Sequence, residues 1–426
     1  MKRSTVSITR TAKAPDYEEI QGAVEKSVDL LGGISEFVKP GQTVLINPSW
    51  VTAVTKREQA CITLPEVSRA VADIVRGGGA KPIIAESSAI GVDSERVIAE
   101  SGYQDLRERG YEVLDLKQTE VTSIPVKRGK IFQEIETYRL VKEADVIIPV
   151  AKLKTHDQME LTLAIKKLKG LLTDKHKREF HQRGVFEACI DLYVALRPSL
   201  SIVDAIYCQE GLGPIFGKLV EMDLIVAGAD AVAVDAVCGY LTGFEPDEVP
   251  ITWEAAERGL GVAERSAIRV LGEPIESVQR RFMRVLEDER LKIEGFDLLH
   301  GDSTCTGCRL GIMSSLFDMK EGDQLMYLPG VTVVTGDPDI PEAVPREGIV
   351  TVGRCVPKGK RGDRLSYRSR AFMMKFALPF FAPVRWPCRF QTPFLLFREC
   401  WRWLHRRGLL NRLSSRNPIE QNFGLY

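Results

Sequence analysis

Short apolar runs and helix-period stretches alternate along most of the chain. The runs Thr43–Asn47, Pro82–Glu86, Glu112–Leu116, Asp145–Val150, Leu200–Ala205 and Asp223–Ala227 have the length and continuity of strands. Val331–Thr335 and Ile349–Val352 follow later with the same character. Between them, Glu66–Arg76 places Val67, Ala70, Val71, Ile74 and Val75 at near-helical spacing, and Ser94–Ser101, Val185–Leu196 and Ala231–Leu241 behave similarly. Strand and helix in alternation predict an α/β fold, a mostly parallel sheet with helices on both faces. No internal repeat is present. Gly77-Gly78-Gly79 follows a helix and precedes a strand, the wrong order for a phosphate loop, and is expected to end the helix.

Val150–Leu172, VAKLKTHDQMELTLAIKKLKGLL, concentrates the chemistry. Lys152, Lys154 and His156 alternate directly after the buried run DVIIPVA, so an extended chain points all three to one face. From Met159 onward the apolar residues recur at helical spacing. Two ammonium groups and an imidazole thus stand where a buried strand gives way to a helix, the edge at which open α/β sheets bind ligands. The expected ligand is an anionic small molecule, a carboxylate or a phosphate. His156 is a candidate acid or base near neutral pH, and Lys154 a point charge that orients the anion. Lys166, Lys167 and Lys169 on the following helix are more open to a plain solvated role.

Other candidates lie nearby in the predicted order. His181, in the polar stretch 175–183, is a candidate to close over the site. Glu210-Gly211-Leu212-Gly213-Pro214 follows a strand and would sit at the same sheet edge, where Gly211 and Gly213 permit a close backbone approach. Asp204, expected at that strand's end, is a candidate acid, base or metal ligand. Asp230 before AVAVDAV is most simply a helix cap, and Asp235 inside that helix is open to a functional or a structural reading.

The character changes near Glu294. The expected organisation is an α/β core over 1–290, a smaller cysteine-containing α/β region over 291–360, and a basic, aromatic tail over 361–426. Cys305-Thr-Gly-Cys308 is a metal-chelating spacing and Cys355 a third thiolate. Soft thiolates select zinc or iron–sulfur clusters. The second C-x-x-C of a zinc ribbon is missing, whereas three thiolates would hold a [4Fe–4S] cluster with one iron open to a substrate or to a further ligand such as Cys388 or Cys400.

Overall composition is ordinary, 44% hydrophobic and 27% charged with 58 basic and 58 acidic residues. That neutrality argues against a dedicated nucleic-acid binder. The charge is uneven, however. The tail from Arg361 holds 13 Lys+Arg against 3 Asp+Glu, and 13 of the 32 aromatic residues. Aromatic and Leu residues interleaved with Arg suit an interfacial amphipathic helix at a membrane surface; docking on the acidic body or on a partner protein is the alternative. The basic start has no apolar segment after it, no stretch of about 18 uncharged apolar residues occurs, and nine scattered cysteines fit a reducing compartment. The expected location is the cytoplasm, peripheral at the inner face of the membrane if the tail attaches there.

Lys152-Leu-Lys-Thr-His156 with Thr162, Lys166 and Gly170 closely resembles the signature of the domain of unknown function family 362. The resemblance continues through Asp191, Ile202-Val-Asp204, Glu210-Gly-x-Gly-Pro214 and Asp230-x-Val-Ala-x-Asp235, covering roughly 44–270. It implies a bacterial or archaeal protein, often of iron–sulfur type, with cluster cysteines after the core domain, and it brings Lys166 into the ligand-binding set. It implies no settled reaction, and one C-x-x-C here replaces the two cysteine runs of the simplest members. The leading expectation is an iron–sulfur protein in which Cys305, Cys308 and Cys355 hold a [4Fe–4S] cluster, serving electron transfer with a redox partner or cluster-assisted oxidoreductase chemistry on the anion. The alternatives are a non-redox, racemase-like metalloenzyme acting on a carboxylate through His156, His181 and Lys154, and a membrane-surface accessory protein.

Overall fold

The computed structural model describes residues 3–156, 159–287, 293–301, 312, 316, 328–344 and 349–352. The chain runs β1 (Ser4–Arg10), α1 (Tyr17–Asp29), β2 (Thr43–Pro48), α2 (Pro65–Gly77), β3 (Lys81–Glu86), α3 (Ser94–Glu100), α4 (Tyr103–Glu108) and β4 (Val113–Asp115). A hairpin follows, β5 (Val121–Pro125) and β6 (Glu134–Tyr138), then α5 (Arg139–Glu143) and the long β7 (Val146–His156). Next come β8 (Glu160–Thr162), α6 (Ala164–Lys167), α7 (Asp174–Arg183), α8 (Val185–Leu196), β9 (Ser201–Glu210) and β10 (Lys218–Gly228). The elements α9 (Ala231–Thr242), α10 (Pro250–Glu257), β11 (Ile268–Gly272) and α11 (Ile275–Val278) complete this part. Three further strands, β12 (Phe296–His300), β13 (Val331–Thr335) and β14 (Ile349–Val352), pair in parallel as a separate small sheet.

The main sheet has the order β11-β1-β10-β9-β7-β2-β3-β4, with β8 added to the end of β7. From β9 through β4 every neighbour is parallel, while β10 is antiparallel to both β9 and β1. The mostly parallel sheet expected from the alternating pattern is therefore present. Its central strands are buried on both faces: Val146, Ile148 and Val150 of β7 pack with α1 and α2 residues such as Ile20, Val24, Val67 and Val71. On the other face, Ile147, Ala151 and Leu153 meet Ile165, Phe180, Ile190 and Val234 from α6 to α9.

Local chemistry explains the element ends. Pro65 opens α2, where its missing N–H costs nothing. The Gly77–Gly79 run closes that helix as expected, with Gly78 N–H bonded to Ile74 O and Gly79 at φ +78. Asp230 caps α9 through the N–H groups of Val232 and Ala233.

Two differences bear on the site. The stretch after Met159 is not one helix: Glu160, at φ +60, turns the chain back so that β8 pairs antiparallel with Lys154–His156 before α6 begins. Its apolar residues fit both periods, and the ladder wins because it satisfies backbone groups at the buried end of β7. In addition, β7 and β9 run past the predicted limits, to His156 and Glu210, so Lys152, Lys154, His156, Asp204 and Glu210 lie on strands, with Gly211 and Gly213 just beyond.

Asp191 of α8 ties the β5–β6 hairpin to the body. Its carboxylate accepts from the backbone N–H groups of Lys130 (2.9 Å), Ile131 (2.6 Å) and Phe132 (3.0 Å). Replacing Asp191 with Ala leaves those donors unmatched, and urea unfolding is expected to show a loss of about 2–4 kcal/mol. A loss below roughly 0.5 kcal/mol would contradict this anchoring role.

Candidate functional site

Lys152, Lys154 and His156 continue the row begun by Val146, Ile148 and Val150, so the strand carries them to the face covered by α1 and α2. All three are buried, Lys152 at 0% and Lys154 at 2% exposure. A buried ammonium needs compensation, and the two lysines obtain it differently.

Lys152 Nζ forms an ion pair with Asp204 Oδ2 at 2.9 Å, with both side chains fully buried. The same oxygen accepts the Leu64 N–H at 2.8 Å, and Oδ1 accepts the Ile206 N–H at 3.1 Å. Asp204 lies inside β9 rather than at its end, opposite Lys152 in the ladder. Its carboxylate is thus engaged by an ammonium and two backbone donors, which makes it a positioning group for Lys152.

Lys154 meets no carboxylate among the described residues. Its ammonium donates to the carbonyls of Cys61 and Pro214, the latter at 3.1 Å. Burial pushes its pKa down to about 7; the Cys61 side chain opposes this, while Lys166, Lys152 and Lys167 push the same way. Beside it in the ladder stand Thr162 of β8 and Gln209 of β9. His156 ends β7 opposite Glu160.

More lysines gather at the carboxyl ends of β2 and β3. Lys167, on α6, pairs with Glu86 and donates to Asn47 Oδ1 at 3.0 Å; burial lowers its pKa. Lys177 of α7 donates to the carbonyls of Ser87 and Ser88, both at 2.6 Å, and burial brings its pKa to about 8. Lys166 is half-buried on the same turn as Lys167. Asp235 of α9 accepts the N–H groups of Ala164 (2.8 Å) and Ile165 (3.3 Å), thereby fixing the start of α6; burial raises its pKa to about 8. Gly170 packs against Glu86 so closely that a Cβ there would fall 2.1 Å from Glu86 Oε2.

The glycine motif closes against the end of β7. Thr155 Oγ1 donates to Gly211 O at 2.9 Å, and a Cβ on Gly213 would lie 2.0 Å from Thr155 O, so this position requires glycine. Glu210 accepts the Met283 N–H at 2.9 Å while the Gly211 N–H returns to Met283 O at 2.9 Å. The structure therefore brings Lys152, Lys154, His156, Asp204 and the segment from Glu210 to Pro214 together. His181 lies on α7, but its side chain is outside the described residues, as are Cys305, Cys308 and Cys355.

Sequence reasoning passed over Lys167, Lys177, Glu86, Asn47 and Gln209. Helix lysines are usually solvated, and that prior hid the first two. Glu86 and Asn47 were visible as polar residues ending apolar strands.

Among the described residues, no group of three or more His, Cys, Asp and Glu is arranged for a metal ion. The described cysteines, Cys61, Cys189, Cys208 and Cys238, are buried, and burial raises each thiol pKa, which disfavours the thiolate that metals need.

Fold and site together define an α/β protein with a cluster of buried lysines at the carboxyl ends of its central parallel strands. The chain belongs to the family described as Domain of unknown function (DUF362), which matches residues 44–239. It is 34% identical over 270 residues to a thylakoid-associated protein of Synechocystis sp. (strain ATCC 27184 / PCC 6803 / Kazusa), covering 60% of this chain and 80% of that one. Among solved structures, the lactate racemase apoprotein from Thermoanaerobacterium thermosaccharolyticum matches with a TM-score of 0.38 at 12% identity. That match covers 57% of this chain and 58% of the racemase.

Breaking the buried pair should be costly. Lys152→Met strands the Asp204 carboxylate, and chemical denaturation is expected to show a loss of about 3–5 kcal/mol. Adding Asp204→Asn should recover part of that loss; strict additivity of the two single changes would contradict the pairing.

Proposed function

We propose that this protein binds a small anionic molecule, a carboxylate or a phosphate, in the lysine crevice, and that Lys154 holds or moves a proton there. The observation that carries this reading is Lys154 itself, an ammonium at 2% exposure held by two carbonyls and surrounded by Lys152, Lys166 and Lys167. An anion supplies the countercharge that the described residues do not. A lysine titrating near neutrality is also matched to taking up or giving a proton at working pH. Lys152, Lys166 and the backbone of Glu210, Gly211 and Gly213 shape the surroundings, with His156 at the strand end. The lysine crevice favours non-redox acid–base chemistry as its own contribution.

A cluster would belong to a different part of the chain. Cys305, Cys308 and Cys355 are the residues that would hold a [4Fe–4S] cluster, or zinc as the alternative, and a cluster would supply one-electron transfer. Support for that assignment is the cysteine spacing alone. Iron and acid-labile sulfide analysis on protein purified without oxygen tests it: about four irons per chain, lost in Cys308→Ser, is the expected result, and iron retained in that variant overturns the ligand set.

For the tail, the basic and aromatic composition of residues 361–426 and the thylakoid-associated relative support peripheral attachment to a membrane surface. Among the described residues no helix is long and apolar enough to cross a membrane.

The anion reading has a definite pH signature. An anion pairs with protonated Lys154, whose ligand-free pKa is about 7. Binding of a carboxylate probe, whose own charge is constant above pH 6, should be tightest below pH 7. It should weaken as pH rises through 7 to 9, by up to about tenfold per unit, with a proton taken up on binding. Calorimetry in buffers of different ionisation enthalpy measures both, and Lys154→Met should abolish the proton uptake. Affinity that is flat from pH 6 to 9 would contradict the role of Lys154.

A further inference from the structure

Lys154 and Gln209 reach the same two segments of chain. The ammonium donates to Cys61 O and Pro214 O, and the Gln209 amide nitrogen donates to Gln59 O and, at 3.0 Å, to Ile215 O. Those two carbonyls fix the orientation of the Gln209 amide, because its nitrogen must face them and its oxygen must face away. Gln209 is 1% exposed, and its Oε1 has no hydrogen-bond partner among the described residues. On the other side of Lys154, Thr162 is 4% exposed and its Oγ1 is likewise unpartnered among the described residues. In-register partners on neighbouring strands project to one face, about 4.8 Å apart. A row therefore forms across three strands: the Thr162 hydroxyl, the Lys154 ammonium and the Gln209 amide oxygen.

Each member of this row has capacity to spare. An ammonium carries three donors and the two carbonyls occupy two of them. Buried polar atoms without partners are uncommon and costly, and two of them flanking one cation mark a place built for a polar ligand. The row also discriminates by chemistry. The ammonium donates only, and the hydroxyl donates or accepts, so both suit an anionic oxygen. The amide oxygen accepts only, and a bare anion gives it nothing.

We infer that the ligand of this crevice is a hydroxylated anion, its charged group on Lys154 and Thr162 and its hydroxyl donating to Gln209 Oε1 about one strand spacing away. A chain of about three carbons spans that distance. This rests on the anion-binding reading above and narrows its substrate class. No covalent step is involved.

The test uses the full chain and two matched three-carbon pairs, glycerate against propionate and glycerol 3-phosphate against propyl phosphate, with affinities measured by calorimetry. The expected result is that the hydroxylated member of at least one pair binds about tenfold more tightly or better, since its deoxy partner leaves the amide oxygen unmatched. The pair that binds tells a carboxylate site from a phosphate site. Gln209→Met should collapse the preference towards unity, whereas Thr162→Val should weaken both members and keep their ratio. Equal binding of both members by the wild-type protein overturns the inference while leaving an anion site in place. Absence of binding by all four probes removes the anion reading and this inference with it. Should Gln209→Met fail to fold, the wild-type ratio and Thr162→Val still decide. A preference undiminished in a folded Gln209→Met also overturns the assignment.

Discussion

The ion pair between Lys152 and Asp204 is the constraint on which the rest of the site depends. It joins the two central parallel strands, β7 and β9, at a point where both are buried on both faces. Through the Leu64 N–H the same carboxylate holds the start of α2, and with it the segment that presents the Cys61 carbonyl to Lys154. A buried pair of this kind adds little net stability compared with apolar packing, because desolvating two charges offsets most of their attraction. Its value here is positional: it pins β7 to β9 just before the register shift beyond which Lys154 stands between Thr162 and Gln209.

The lysine crevice is then understandable as a graded set. Lys152 is neutralised by Asp204 and Lys167 by Glu86, while Lys177 donates to the carbonyls of Ser87 and Ser88 with Asp174 at 3.6 Å. Among the described residues, Lys154 is left with carbonyls alone. Burial and neighbouring cations make its protonated form expensive in the absence of a countercharge, so an arriving anion gains from the relief as well as from direct contact. Asp235 and Gly170 serve the same end from a distance. The first fixes the turn bearing Lys166 and Lys167, and the second lets that turn close against Glu86.

Much of this was legible in the chain. The continuous apolar run before Lys152 identified β7 as a buried parallel strand, and the alternation of Lys152, Lys154 and His156 put them on one face. The strand after Met159 was not legible, because Leu161, Leu163, Ile165 and Leu168 satisfy a helical period as well as they satisfy β8 followed by α6. The N-terminal strand β1 and the hairpin β5–β6 were also missed; the hairpin strands are short and mixed in polarity, and the hairpin is held both by Asp191 and by Val126, Phe132 and Ile135 buried in the core. Partnership was the least legible property. Nothing in the pattern distinguishes Lys167, paired with Glu86 at the end of β3, from a solvated helix lysine, since ion pairs between distant segments leave no periodic trace.

Direct titration of the Lys154 side chain tests the central claim most plainly. NMR of protein labelled at the lysine Cε, with Lys154→Arg used to assign the signal, follows its protonation as a function of pH. In the ligand-free protein the midpoint should lie near 7 and should rise when a bound anion is present. A midpoint close to 10, the ordinary value for a solvated lysine, that does not respond to anions would contradict the account.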